Sequence, residues 1–272
     1  MNNQSQRLSR QSFLGTRSEQ TFSHAVVGVV GIGGGGSHVV QQLAHIGFQN
    51  FVLYDADRVE DSNLNRMVGA EVTDVTDRTL KVDVAERLVR TLWPAAVVRK
   101  YAGRWQAHPE LLRSCDIVFG CVDGFAERGE LESCTRRYLI PLIDIGMDVQ
   151  PAVAGQPPRM AGQVILSMPG EPCMRCLQFL SEATLAREAA RYGAAGHNPQ
   201  VVWSNGALAS TAVGLAVDLL TGWTQRPPGA VYLSYDGNKG TIQPHVRLGF
   251  VDRQGCVHFP LDQVGDPVPV LL

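Results

Sequence analysis

The sequence predicts an α/β fold, a Rossmann-like and mostly parallel sheet with flanking helices and a smaller mixed C-terminal extension of that sheet. Three observations carry this. A continuous apolar segment, Ala25 to Val30, runs straight into the glycine cluster Gly31-Ile32-Gly33-Gly34-Gly35-Gly36. Strand-like and helix-like segments then alternate as far as Asp144, the pattern of a parallel sheet with crossover helices. Beyond that point, turns and short strands surround a single long helical segment.

Residues 1–24 are polar and carry Arg7-Leu8-Ser9-Arg10-Gln11, which reads as an N-terminal arm or helix. Ala25–Val30 suits a strand buried on both faces. A helix should start near Ser37 and turn Val39, Val40, Leu43 and Ile46 inward. A second strand covers Phe51–Tyr54 and ends at Asp55. The next helix, about Arg78–Leu92, is stopped by Pro94. Strands follow at Val97–Tyr101, Asp116–Gly120 and Ile140–Asp144, with a helix over Ala126–Tyr138. In the second half, turn-rich Gly155–Pro158 and Met168–Pro172 bracket a strand at Gln163–Met168. Residues 177–203 are polar and alanine-rich, without a clear apolar face. A helix over Asn205–Leu220 and strands at Ala230–Ser234 and Thr241–Val246 complete the series.

The 272 residues are 44% hydrophobic and 18% charged, with a formal net charge of -2. This is the composition of a soluble globular protein and lacks the basic footprint of a nucleic-acid binder. No apolar run approaches the ~18 residues that a membrane span needs. Met1 to Ser23 has no apolar core of the kind found in secretory signals. The six cysteines, Cys115, Cys121, Cys134, Cys173, Cys176 and Cys256, are scattered. Reduced thiols in a cytoplasmic protein, with a candidate metal site, are expected.

Gly31, Gly33 and Gly36 form G-x-G-x-x-G between a strand and a helix. The glycines let the backbone turn tightly and approach a phosphate, and the helix N-terminus faces that anion with free N–H groups. Asp55 ends the second strand, where an acidic side chain takes ribose hydroxyls. To this point a nicotinamide oxidoreductase fits equally well. The stretch Asp55-Ala56-Asp57 through Ser62-Asn63-Leu64-Asn65-Arg66 separates the two. A triphosphate needs cations and hydrogen-bond donors, and its Mg²⁺ needs carboxylate oxygens. Asn63, Arg66 and Lys81 supply the first, and Asp123, after the fourth strand, the second. Each has a plainer role open to it: an Asp57–Arg66 surface pair, a solvated Lys81, or Asp123 as a helix cap.

The motifs as a set resemble the ThiF/MoeB/HesA family of adenylating enzymes. They are Arg7–Gln11, Gly31–Gly36 with Ser37, Asp55-x-Asp57, Ser62–Arg66, Lys81-Val82, Cys121-Val122-Asp123, Pro141–Gly146 and Pro172-Cys173-Met174-Arg175-Cys176-Leu177, in family order over roughly residues 7–220. The resemblance implies an ATP-dependent adenylyltransferase acting on the C-terminal carboxylate of a ubiquitin-like or sulfur-carrier protein. Asp55 would hold the ribose, and Asn63, Arg66 and Lys81 the triphosphate. Asp123 would hold Mg²⁺ near the attacked phosphorus. Arg10 would reach the γ-phosphate from a neighbouring subunit, which implies a homodimer. The whole chain, 1–272, then reads as one adenylation domain: arm 1–24, nucleotide-binding half 25–150, and partner-binding half 151–272 with crossover segment 177–203.

In the family, C-x-x-C supplies half of a tetrahedral zinc site and a second C-x-x-C the rest. Here Cys173 and Cys176 have no second pair. Cys256 with His258 could complete a Cys₃His shell, although C-x-H is tight spacing, and His245 is another candidate. Metal-free cysteines or a redox dithiol are the other readings. Some relatives form a thioester on a crossover cysteine, but Leu177–Ser204 contains none, so adenylation without an enzyme thioester is expected. Three further functions stay open. One is adenylation of a tRNA-nucleoside carboxylate, which the near-neutral charge disfavours. The others are nicotinamide oxidoreduction and non-catalytic nucleotide binding. The tail, with Pro260, Pro267, Pro269 and apolar Val270–Leu272, could dock on the body or on a partner.

Overall fold

Eight strands form one sheet in the order β3-β2-β1-β4-β5-β6-β7-β8. In chain order the elements are α1 (Ser18–His24), β1 (Val26–Val30), α2 (Gly34–Ile46), β2 (Asn50–Tyr54), α3 (Val72–Thr76), α4 (Lys81–Leu92) and β3 (Val97–Tyr101). Then come β4 (Ile117–Gly120), α5 (Phe125–Arg137), β5 (Leu142–Gln150), β6 (Arg159–Ser167), α6 (Glu182–Arg191), α7 (Val202–Thr221), β7 (Val231–Asp236) and β8 (Thr241–Pro244). The computed structural model describes residues 6–153, 155–191, 199–251, 255–259 and 265. Pro260, Pro267, Pro269 and Val270–Leu272 lie outside the described residues, as does the middle of the crossover segment. Among the described residues no helix is long and apolar enough to cross a membrane.

β3, β2, β1, β4 and β5 pair in parallel. β6, β7 and β8 continue the sheet through antiparallel pairings. The apolar β1 run is explained by burial on both faces. Val27 and Val29 enter one core with Val39, Val40 and Leu43 of α2, Val82 and Val89 of α4, and Leu208 and Val213 of α7. Val30 enters the other core, with Leu112, Leu131, Met174 and Leu177.

Several boundaries differ from the sequence reading for physical reasons. β5 runs on past Asp144 to Gln150 because β6 pairs with it over its full length, Leu142↔Ser167 to Gln150↔Arg159. The polar residues Asp148 and Gln150 thus obtain ladder hydrogen bonds that no apolar pattern announces. α6 lies inside the supposedly faceless crossover segment. Ser181 starts it by accepting from Thr184 N at 3.1 Å, and Glu, Ala, Leu and Arg are good helix formers. α1 and α3 are too short to show a helical period. α3 is held by Asp74, whose carboxylate accepts from Arg87 at 2.9 and 2.6 Å; the guanidinium holds that carboxyl below its usual range.

Candidate functional site

β1 lies between β2 and β4, so the crossovers leave it in opposite directions and a crevice opens at the C-terminal ends of the strands. A cleft of about 300 Å³ occupies this place. The glycine loop forms its floor. Gly31 has φ +89°, a left-handed conformation, and a Cβ there would lie 2.6 Å from Cys121 O. A Cβ on Gly36 would lie 1.9 Å from Gly31 O, so only glycine lets α2 start against the loop. Gly36 is buried beneath the turn, whereas Gly31 and Gly33 line the cleft itself.

Five charged or polar residues singled out in the sequence line the same cleft: Asp55, Asn63, Arg66, Lys81 and Asp123, together with Asp57. Asp55 accepts from Ile32 N at 2.6 Å and from Asp57 N at 2.8 Å, which fixes its carboxylate beside the glycine loop. Burial raises its pKa, and Lys81 and the two backbone N–H groups oppose that shift. Lys81 Nζ lies 2.7 Å from Asp57 Oδ2, with the lysine side chain 11% exposed and the aspartate 68%. Lys81 is therefore no solvated helix residue, and Asp57 pairs with it rather than with Arg66.

Asn63 is buried and closes a capping box: its Oδ1 accepts from Glu60 N at 3.0 Å. Its amide N–H group is left as the donor for the cleft. Arg66 donates to Ser62 O and, at 3.0 Å, to Asn65 Oδ1. Asp123 is exposed at the cleft rim and accepts from Gln200 Nε2 at 3.3 Å. It does not cap α5. Glu188 of α6 does, accepting from Phe125 N at 2.8 Å and Ala126 N at 2.9 Å. This ties the crossover segment to the cleft edge next to Asp123.

Arg10 is exposed and does not line the cleft. Its segment is pinned at the opposite end of α2, where Gln11 Nε2 donates to Ile46 O at 2.7 Å and Arg7 sits 4.8 Å from the Trp93 ring centroid. The sequence reading missed Arg128, Glu127, Trp105 and Asn205, which also line the cleft. Arg128 donates to the buried Asp144 carboxylate and, at 3.0 Å, to Ile145 O. Burial pushes the Asp144 carboxyl up to about 6 against the pull of Arg128. Asn205, 5% exposed, packs onto Gly34; its Nδ2 has no hydrogen-bond partner among the described residues. No local motif surrounds Asn205, so no sequence signal could have found it.

Away from the cleft, Cys173, Cys176, Cys256 and His258 converge, with their ligand atoms all within 4.8 Å of one another. The Sγ of Cys176 lies 3.6 Å from that of Cys173 and 3.7 Å from that of Cys256. His258 Nδ1 lies 3.5 Å from Cys173 Sγ and 3.3 Å from Cys176 Sγ. Tetrahedral zinc with Zn–S bonds of about 2.3 Å requires ligand separations of about 3.8 Å, so the four residues fit this ion. C-x-H spacing is accommodated by the turn at Val257 and His258. His245 stands apart, stacked on Tyr232 at 4.1 Å. Buried Glu132 holds the knuckle, accepting from Met174 N at 2.8 Å.

The ThiF family model matches residues 5–256. Among curated proteins, the chain is similar to the sulfur carrier protein adenylyltransferase of Thermus thermophilus, with 32% identity over 172 residues, 60% of this chain and 59% of that protein. It is similar to the molybdopterin-synthase adenylyltransferase of Salmonella typhimurium, 30% identical over 166 residues, 60% of this chain and 62% of that one. The adenylyltransferase and sulfurtransferase uba4 of Aspergillus niger is 30% identical over 169 residues, 60% of this chain and 34% of its own. The matched stretch thus spans between about a third and three-fifths of these relatives. Two solved structures share the fold. E. coli MccB with ATP has a TM-score of 0.70 at 19% identity, covering 94% of this chain and 73% of that one. PaaA has 0.71 at 18%, covering 90% and 83%. The family match runs almost from one end of the chain to the other, over the glycine loop, the cleft and the cysteine knuckle, and the chain belongs to the ThiF family.

Proposed function

We propose that this chain is an adenylyltransferase that joins AMP from ATP to the C-terminal carboxylate of a small ubiquitin-like or sulfur-carrier protein and releases pyrophosphate. The observation that carries the reading is the convergence of Asp55, Asn63, Arg66, Lys81 and Asp123 on one cleft at the N-terminus of α2. The adenylyltransferase names of the relatives support it. Asp55 accepts hydrogen bonds from the ribose hydroxyls. The α2 N-terminus and the Asn63 amide meet phosphate oxygens, and Arg66 and Lys81 neutralise their charge. Asp57 holds the Lys81 ammonium in place.

Asp123 is the carboxylate available to Mg²⁺, an ion that would neutralise phosphate charge when bound. The substrate carboxylate is already ionised near neutral pH, so attack on the α-phosphorus needs no general base. Catalysis is then positioning and charge stabilisation.

Arg10 serves a second copy in this reading. α2 has 13 residues. At about 1.5 Å per residue that separates the arm from the cleft by roughly 20 Å, beyond the reach of an arginine in the same chain. In this reading the chain works as a homodimer. Zinc would sit in the Cys173, Cys176, Cys256 and His258 cluster as a structural ion that ties the C-terminal segment to the knuckle.

The reaction stops at the acyl adenylate. Burial pushes the Cys115 thiol up to about 12 and that of Cys134 up to about 11, and it also raises Cys121. The remaining three cysteines lie in the cluster. An acceptor nucleophile therefore comes from another molecule. ATP–pyrophosphate exchange with Mg²⁺ and carrier proteins ending in a free small-residue tail tests the proposal. Exchange should depend on the carrier and fall at least ~100-fold in Asp123→Ala. Demonstrated ATP binding without exchange for any carrier would overturn the carrier as substrate.

A further inference from the structure

Base and phosphates leave a ribose from different carbons, so a nucleotide with its phosphates at α2 and its ribose at Asp55 must extend its base away from the glycine loop. This inference rests on the nucleotide reading above. The wall of the cleft that phosphates and ribose leave unused is formed by Gly103, Arg104 and Trp105, which follow β3, and by Glu127 in the first turn of α5.

This wall has a definite polarity. Trp105 is 4% exposed, and its indole N–H has no partner in full hydrogen-bond geometry among the described residues. Glu127 is half-buried beside it. Burial raises the Glu127 pKa, and the neighbouring Trp105 indole, the Arg104 guanidinium and the Gln106 amide favour its charged form. Gln106 itself donates to Glu130 of α5 at 2.9 Å, which joins the segment after β3 to that helix. Glu127 thus offers carboxylate oxygens, which accept hydrogen bonds, on this wall of the cleft.

We propose that Glu127 determines nucleobase specificity, accepting a hydrogen bond from the six-amino group of adenine. A six-oxo purine places lone pairs opposite the carboxylate at the same point. A site built to hydrogen-bond one group discriminates against an analogue that lacks it, because its own polar atom is left unpaired.

The test compares binding of ATP and inosine triphosphate, which differ at this edge of the base, by isothermal titration to the full chain. The wild type should bind ATP about 10- to 100-fold more tightly, the range of a hydrogen bond to a charged group. Glu127→Ala should bring the ratio close to one, chiefly by weakening ATP. Glu127→Gln, which can also donate, should improve binding of inosine triphosphate relative to the wild type. Near-ultraviolet circular dichroism should show the fold intact in both variants. An unchanged ratio in Glu127→Ala, or a wild type that prefers the six-oxo base, would overturn the proposal and leave the nucleotide site standing. A wild type that binds neither nucleotide would overturn both.

Discussion

The parallel half of the sheet and the crossover half build their sites in opposite ways. In the parallel half the working residues follow strand ends: Gly31 after β1, Asp55 after β2, Asp123 after β4. Parallel pairing brings those ends to one edge, so the cleft follows directly from the order of elements. In the crossover half the four cluster residues come from two segments about 80 positions apart, Cys173 with Cys176 and Cys256 with His258. Among the described residues no strand pairing or helix joins the two segments. The contrast teaches that the first site is held by the sheet and its cores, whereas in the second only the knuckle is anchored to the core, through Glu132 and Met174, and the Cys256–His258 turn must be held by the cluster itself.

The largest expected effect lies in the parallel half. Asp144→Ala leaves the Arg128 guanidinium, 6% exposed, without its carboxylate. A loss of about 3–5 kcal/mol is expected from urea unfolding, the range for an orphaned buried charge. A loss below about 1 kcal/mol would break the idea that this half depends on buried polar pairing. The same residue carries a pH signature. Its folded value is about 6. That lies above the ordinary value of about 3.9 in the unfolded chain, so the folded state binds the extra proton between them. Its contribution is complete below pH ~4 and is lost as pH rises through about 6. Wild-type stability measured relative to Asp144→Asn should fall across that window, and a flat difference would contradict the buried, desolvated carboxyl.

A smaller effect is expected in the cluster. Cys176→Ser removes one of four ligands, and zinc measured by elemental analysis of the purified protein should fall to background. The midpoint of thermal unfolding should drop by about 4–8 °C, or roughly 2 kcal/mol. Equal metal content in variant and wild type would show that the four residues are a reduced thiol cluster instead.

The smallest effect concerns the seam between the halves. Glu188→Ala frees the N–H groups of Phe125 and Ala126. Loss of a helix cap costs about 1 kcal/mol. The crossover segment should be cut about 5-fold faster in limited proteolysis, with little change in the global midpoint. Unchanged cleavage would mean that this contact does not hold the segment down.

Much of the parallel half was legible because its signals are local. Val27 to Val30 are buried on both faces, and Gly31 and Gly36 stand where a side chain would strike backbone. Asn63 sits inside its own capping box, and Lys81 opens a helix. Arg128 and Glu127 were missed although they lie a few residues after Asp123, because a charged residue in a helix is usually solvated and only the fold shows these two turning inward. α6 was missed because it is short and alanine-rich, and because its anchor, Glu188, caps another helix.

The sequence by itself determined the α/β class, the succession of strands and helices in the nucleotide half, and the family, since all three rest on hydrophobic period and on short motifs whose chemistry is local. Only the tertiary structure decided that Lys81 pairs with Asp57, that Asn205 closes over the glycine helix, that Glu188 bridges to α5, and that a C-x-H turn meets the C-x-x-C knuckle. The reason is physical. Periodicity records which side of an element is buried, whereas a partner across the fold depends on distances between elements that no local pattern encodes.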